Sequence, residues 1–150
     1  MKPGELVQWE VGRVRDTATR EAYATWLESL HWDYFVTVTF RRPRVDGIRA
    51  NDRVWSTLEA CHVKRAFLAT ERFKWSRELH VHGLLSNYDG TWYPRMALPW
   101  DMWERCFKVY GRTTVEAING PAAVTRYCSK YVVKGLSEYG FYGRPAFWDK

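Results

Sequence analysis

Cysteine is scarce in this chain, with Cys61, Cys106 and Cys128 the only three in 150 residues and no Cys-x-x-Cys pair among them. That count excludes a disulfide framework, argues against a structural zinc site, and fits a reducing, cytoplasmic setting. No apolar run approaches the ~20 residues that span a bilayer. The opening MKPGELVQWE has no apolar core of a signal peptide, so no membrane partner is expected. Repeats, low-complexity stretches and Ser/Gly linkers are also missing, which predicts a single domain over 1–150. A basic tail is missing too. Residues 1–75 carry 13 basic and 10 acidic side chains and residues 76–150 carry 10 and 7, so the net charge of +6 is split evenly. A polyanionic partner is allowed by that charge but not located by it.

What the chain has in excess is aromatic side chains: nine Trp, nine Tyr and seven Phe. Some exceed what a core of this size needs and are candidates for stacking on unpaired bases, while most are expected to pack. With 46% hydrophobic and 27% charged residues, the composition is that of a folded domain.

Periodicity predicts a helix over 17–30, capped by Asp16 or Thr17, with Tyr23, Trp26, Leu27 and Leu30 inward. A strand follows over 34–40, with Thr37 and Thr39 on one face and Val36, Val38 and Phe40 on the other. After a basic loop (Arg41, Arg42, Arg44), a second helix is expected over 50–64 with Val54, Trp55, Leu58 and Cys61 inside. Strands over 65–73 and 77–86 read as a hairpin across Lys74-Trp75-Ser76. A loop over 87–99, a helix over 101–110 stopped by Gly111, and a strand over 112–118 come next. Asn119-Gly120-Pro121 opens a helix to about Lys134, and the tail 139–148 is an edge strand or an irregular cover. The order β-α-β-β-α-β predicts an α+β fold of ferredoxin-like, split βαβ type, with about five antiparallel strands.

His80-Val81-His82-Gly83 is the sharpest local pattern. Residues i and i+2 of a strand share a face, so the two imidazoles stand side by side. If the turn centres on Trp75 and Ser76, Glu71 lies opposite His80 and on the same face. Two imidazoles and a carboxylate suit Mn²⁺, and Mg²⁺ less comfortably, with Zn²⁺ and Fe²⁺ also open. Glu78 is a weaker rival for the same ion. The bland alternative is a pair of packing or exposed histidines. His31 and His62 lack ligand spacing and are expected to cap or pack.

The last helix carries Tyr127 and Tyr131 four residues apart, and Arg126, Lys130 and Lys134 on a neighbouring stripe. No acid lies between Glu116 and Glu138 to offset these cations. Phosphate or water would satisfy them. Taken alone, the segment is better explained as an amphipathic helix with boundary tyrosines and solvated lysines, and it becomes informative in combination with the hairpin.

Taken in order, FVTVTF (35–40), HVHGLL (80–85) and YCSKYVVK (127–134) resemble the HUH endonuclease superfamily, specifically rolling-circle replication initiators. The resemblance spans about 34–135. It implies the HUH fold, with His80, His82 and Glu71 holding Mn²⁺ or Mg²⁺. It also implies a tyrosine that attacks a DNA phosphodiester, leaving a 5′-phosphotyrosine and a free 3′-OH. Tyr127 is expected as the principal nucleophile, Tyr131 as a second, and Lys130 as the cation beside the phosphate. Tyr127-Cys128-Ser129-Lys130 is similar to the nicking motif of circovirus-like initiators, whereas the doubled Tyr-x-x-Lys is similar to phage and bacterial-plasmid initiators that use two tyrosines, the type expected without a helicase domain. Implied partners are single-stranded DNA at a replication origin and a host helicase, with the protein a monomer. Arg126, Lys134, Thr37, Thr39, Arg41, Arg42, Arg44 and Trp75 are candidate DNA contacts. Two other readings stay open: an RRM-like module that binds single-stranded nucleic acid without cutting it, and a two-His-one-carboxylate metalloenzyme on a small substrate.

Overall fold

Alternation along the strands sets the architecture, because the central strands feed two different cores. The computed structural model describes residues 17–41, 47–72, 78–87, 99–133 and 138–148. In chain order the elements are α1 (Thr17–Glu28), β1 (Tyr34–Thr39), α2 (Gly47–Ala60), β2 (Arg65–Arg72) and β3 (Leu79–Ser86). Then come α3 (Pro99–Val109), β4 (Thr113–Ala117), α4 (Pro121–Tyr127) with a π-helical turn (Cys128–Val133), β5 (Tyr139–Tyr142) and a 3₁₀ turn (Pro145–Trp148). The five strands form one antiparallel sheet in the order β4-β1-β3-β2-β5. The protein is therefore α+β, and its first four strands have the order compatible with a ferredoxin-like sheet. Among the described residues, no helix is long and apolar enough to cross a membrane.

On one face, Val36, Val38, Phe40, Leu68, Val81 and Leu85 pack against Ala50, Val54 and Leu58 of α2 and Met102 and Cys106 of α3. On the other, Phe67, Ala69, Leu84, Tyr139 and Phe141 meet Tyr23 and Leu27 of α1 and Val124, Tyr127, Cys128 and Val132 of the last helix. All three cysteines are buried and free. One buried feature at the edge of this second core was not legible in the sequence. The fully buried Arg65 guanidinium lies 4.7 Å from the Trp32 ring and 5.5 Å from the Trp148 ring, and donates to the carbonyls of His31 and Phe147. Burial lowers its pKa to about 10.

Three element boundaries depart from the sequence expectation for identifiable reasons. Helix α2 starts at Gly47 and stops at Ala60 instead of running to 64. His62 takes φ 67°, and Val63 N–H donates to the Leu58 carbonyl at 3.1 Å, so a left-handed residue closes the helix where glycine is usual. Helix α3 begins two residues early, at Pro99. The last helix is α-helical only to Tyr127 and then widens into a π turn, which keeps both Cys128 and Val132 buried. The tail combines both expected forms, an edge strand and an irregular cover. The predicted cap Asp16 and the hairpin turn with Trp75 lie outside the described residues.

Candidate functional site

The central strand β3 carries the site. Its register against β2 is the one expected, with Glu71 opposite His80 and Ala69 opposite His82. On its other side β1 places Thr39 opposite His80 and Thr37 opposite His82. Gly83 makes this packing possible: a Cβ there would stand 1.9 Å from the Phe67 carbonyl oxygen. The glycine that follows the two histidines is thus needed for β2 and β3 to approach.

Both imidazoles are buried, and both have the same pattern of neighbours. His80 Nδ1 lies 2.8 Å from Thr39 Oγ1, and His82 Nδ1 lies 2.9 Å from the Tyr127 hydroxyl. His80 Nε2 is 3.9 Å from Glu78 Oε2, and His82 Nε2 is 3.8 Å from Glu71 Oε2. When Nδ1–H donates to the hydroxyl, Nε2 turns its lone pair toward a carboxylate oxygen. Two electron-rich groups facing each other at that distance are stabilised by a cation between them. Two imidazoles and two carboxylates form a mixed nitrogen and oxygen donor set of the kind that suits Mn²⁺, and Mg²⁺ less comfortably, with Zn²⁺ and Fe²⁺ also open. The hydroxyl partners fix the ring orientations as outer ligands do in metal sites. Among the described residues, no three His, Cys, Asp or Glu side chains converge as they stand into a cluster of metal-holding spacing. Although Glu71 pairs with His80 in the ladder, its carboxylate reaches His82, and Glu78 serves His80.

The two tyrosines are brought to this face but are not equivalent. Tyr127 is buried, with its ring 5.6 Å from both Phe35 and His82. Burial pushes its phenol well above the ordinary range. Tyr131 is only half-buried, and its ring lies 4.2 Å from the His82 ring and 5.0 Å from that of Tyr127. The exposed Lys130 ammonium sits 4.9 Å from the Tyr131 ring centroid, and its hydrogen bond to Tyr131 raises the lysine pKa. A cleft of about 270 Å³ opens beside them, lined by Phe35, Thr37, His82, Arg126, Tyr127, Lys130 and Tyr131, with Glu116 at its wall.

Sequence-expected contacts divide accordingly. Thr37, Arg126 and Lys130 line the cleft, and Thr39 holds His80. Arg41 does not reach the cleft lining and packs on Phe107 of α3 instead. Arg42, Arg44, Trp75 and Lys134 lie outside the described residues. The pairing of each histidine with a hydroxyl was missed by sequence reasoning. The Thr alternation in β1 was its one visible signal.

The buried histidines make the metal-free protein acid-sensitive. Burial, helped by His80 and Lys130, lowers the His82 pKa from 6.5 to about 4. His80 is lowered too, chiefly by burial, with Glu78 and Glu71 opposing. A depressed histidine leaves stability untouched above the unfolded value. As pH falls below 6.5, the unfolded chain takes up a proton that the folded protein refuses. Stability should then fall by about 1.4 kcal/mol per pH unit for His82 and level off near its folded pKa, on the order of 3 kcal/mol in all. Urea unfolding in EDTA across this range measures it. A His82→Gln protein should show a visibly shallower slope, and an equal slope would refute the assignment.

No protein-family model matches the chain, and a search of the curated proteins finds no match.

Proposed function

We propose that this protein is an HUH-type endonuclease that nicks and rejoins single-stranded DNA by tyrosine transesterification, with initiation of rolling-circle replication as its role. One observation carries the reading. His82, Tyr127, Tyr131, Arg126 and Lys130, from well-separated parts of the sequence, line one cleft beside the central strand, with the Glu71 carboxylate 3.8 Å from His82 and His80 two residues along the same strand face. The ferredoxin-like strand order and the order of the three motifs support it further.

His80 and His82, with Glu71 and Glu78 beside them, would hold Mn²⁺ or Mg²⁺, which when bound supplies Lewis acidity to the scissile phosphate. Arg126 and Lys130 attract and orient the phosphate backbone. A tyrosine oxygen then bonds to phosphorus as the bond from phosphorus to the 3′ oxygen breaks. The phenol proton, carried by water, ends on that 3′ oxygen. Lys130 offsets the negative charge that develops during the exchange. One phosphodiester replaces another, so no nucleotide is hydrolysed, and attack by a later 3′-OH reverses the step.

Exposure favours Tyr131 as the attacking residue. Tyr127, buried and bonded to His82, acts as the positioning residue that orients this imidazole. This exchanges the roles expected from the motif alone. The face bearing the histidines is covered by α1 and the last helix, which disfavours an RRM-like module whose sheet lies open to bases.

The direct test uses single-stranded oligonucleotides from candidate origins with Mn²⁺, read on denaturing gels. A covalent protein–DNA adduct and a free 3′-OH fragment are expected, both lost in EDTA. Cleavage with no adduct, from wild-type protein with metal present, contradicts the mechanism.

A further inference from the structure

Helix α3 carries a feature that the nicking cleft does not use. Its inward stripe is Met102 and Cys106, with Tyr110 just beyond, all buried. A second stripe, Trp100, Trp103 and Phe107, faces outward, with Trp100 64% and Phe107 40% exposed. Large aromatics left in water forgo burial energy, and a clustered set of them marks a contact surface.

These rings are already ordered as a stack. Trp100 and Trp103 lie 5.0 Å apart with planes at 26°, and Trp103 and Phe107 lie 4.9 Å apart at 13°. The Arg41 guanidinium closes one end, 5.0 Å from the Phe107 ring centroid, and donates to the Phe107 carbonyl at 2.8 Å. The other end is open, because Trp103 covers one side of the Trp100 indole and most of that side chain is exposed. Among the described residues, the stack therefore ends in an uncovered π face at the start of its helix.

The surroundings say what would fill it. On 99–112 together with Arg41, the charged side chains are Arg41, Arg105, Lys108 and Arg112 against Asp101 and Glu104. Glu104 and Lys108 are 2.9 Å apart and offset each other, leaving a cationic excess. The closed end of the stack also adjoins the end of the sheet that bears His80, with α3 packed on the sheet face opposite the cleft. Arg41 N–H donates to the Tyr110 carbonyl, Thr39 N–H donates to the Arg112 carbonyl, and Thr39 Oγ1 contacts His80. An aromatic face, Arg41 at its closed end, a net positive segment and a backbone link to the sheet end that bears His80 suit nucleobases on a phosphodiester backbone.

We propose that Trp100, Trp103 and Phe107 form a stacking platform for single-stranded nucleic acid, which holds nucleotides lying beyond the cleft. Trp100 stacks on a base, and Arg41 and Arg112 guide the backbone between platform and cleft. The platform rests on the nicking reading for the identity of its strand, but its binding is measurable without cleavage.

The test is fluorescence anisotropy with a dye-labelled oligothymidylate of about 20 nucleotides, in EDTA so that no nicking occurs. Trp100→Ala should weaken binding about tenfold, the scale of one lost base–aromatic stack. Trp100→Phe should keep most of the affinity by restoring a π face. Because Trp100 is exposed, both variants should melt with the wild type, which separates binding from folding. Equal affinity of Trp100→Ala and wild type would overturn the platform. A wild-type dimer on gel filtration that Trp100→Ala converts to monomer would overturn it as well, by making the face an interface between copies. The nicking reading fails separately, through absence of a covalent adduct in the presence of Mn²⁺.

Discussion

Tyr131→Phe protein is expected to form no detectable covalent adduct with a single-stranded substrate, a loss of at least about a thousandfold, as for removal of a nucleophile in other enzymes. The same change at Tyr127 should act differently. Phe fills the same space but leaves His82 Nδ1 without the hydroxyl that lies 2.9 Å away. An imidazole that loses its orienting partner binds metal about 10- to 100-fold more weakly. Tyr127→Phe should thus be slow at low Mn²⁺ and recover as Mn²⁺ is raised, whereas Tyr131→Phe should not recover at any concentration. Mapping the DNA-linked peptide by mass spectrometry assigns the residue directly. Adduct on Tyr127 in the wild type, with Tyr131→Phe unimpaired, would restore the roles expected from the motif and defeat the division argued from burial.

Removing the imidazoles should be nearly as costly. His80→Ala and His82→Ala are each expected to slow adduct formation by two to three orders of magnitude, since a Lewis acid at a phosphoryl oxygen supplies several kcal/mol. Both should abolish the heat of Mn²⁺ binding in calorimetry. The carboxylates are distinguishable because each faces a different ring. Glu71→Gln acts through His82, 3.8 Å away, and Glu78→Gln through His80, 3.9 Å away. If both matter, the double variant should lose about as much as a histidine variant. EDTA-sensitive adduct formation at the wild-type rate in the doubly substituted His80→Ala,His82→Ala protein would remove the metal centre from the mechanism.

Much of this site was legible before any fold was known, for reasons that are local. A strand repeats every two residues, so His80 and His82 had to share a face and Val81 had to oppose them. A short hairpin fixes its own register, so Glu71 opposite His80 followed from turn position alone. The β-α-β-β-α-β order likewise constrained the sheet.

Other features depend on contacts between segments far apart in the chain, and no window of sequence contains them. The four-residue spacing of Tyr127 and Tyr131 suggested two similar residues on one helical face. Which of them is buried depends on Phe35 packing against the Tyr127 ring, while His82 meets both rings and Lys130 stays exposed beside Tyr131. A π turn at Cys128–Val133 also lies between the α spacing assumed and the geometry found. Glu71 follows the predicted register, yet its flexible side chain ends at His82, a choice that backbone pairing does not make. Arg65 merely opens the strand expected over 65–73, and only Trp32 and Trp148, brought together by folding, create its buried aromatic box. The aromatic excess counted at the outset had no address for the same reason. Composition and periodicity determined the fold class, the histidine pair and its register, because covalent spacing and backbone geometry suffice for those. Tertiary structure alone decided which hydroxyl orients which imidazole, which tyrosine meets solvent, and which aromatic rings face outward.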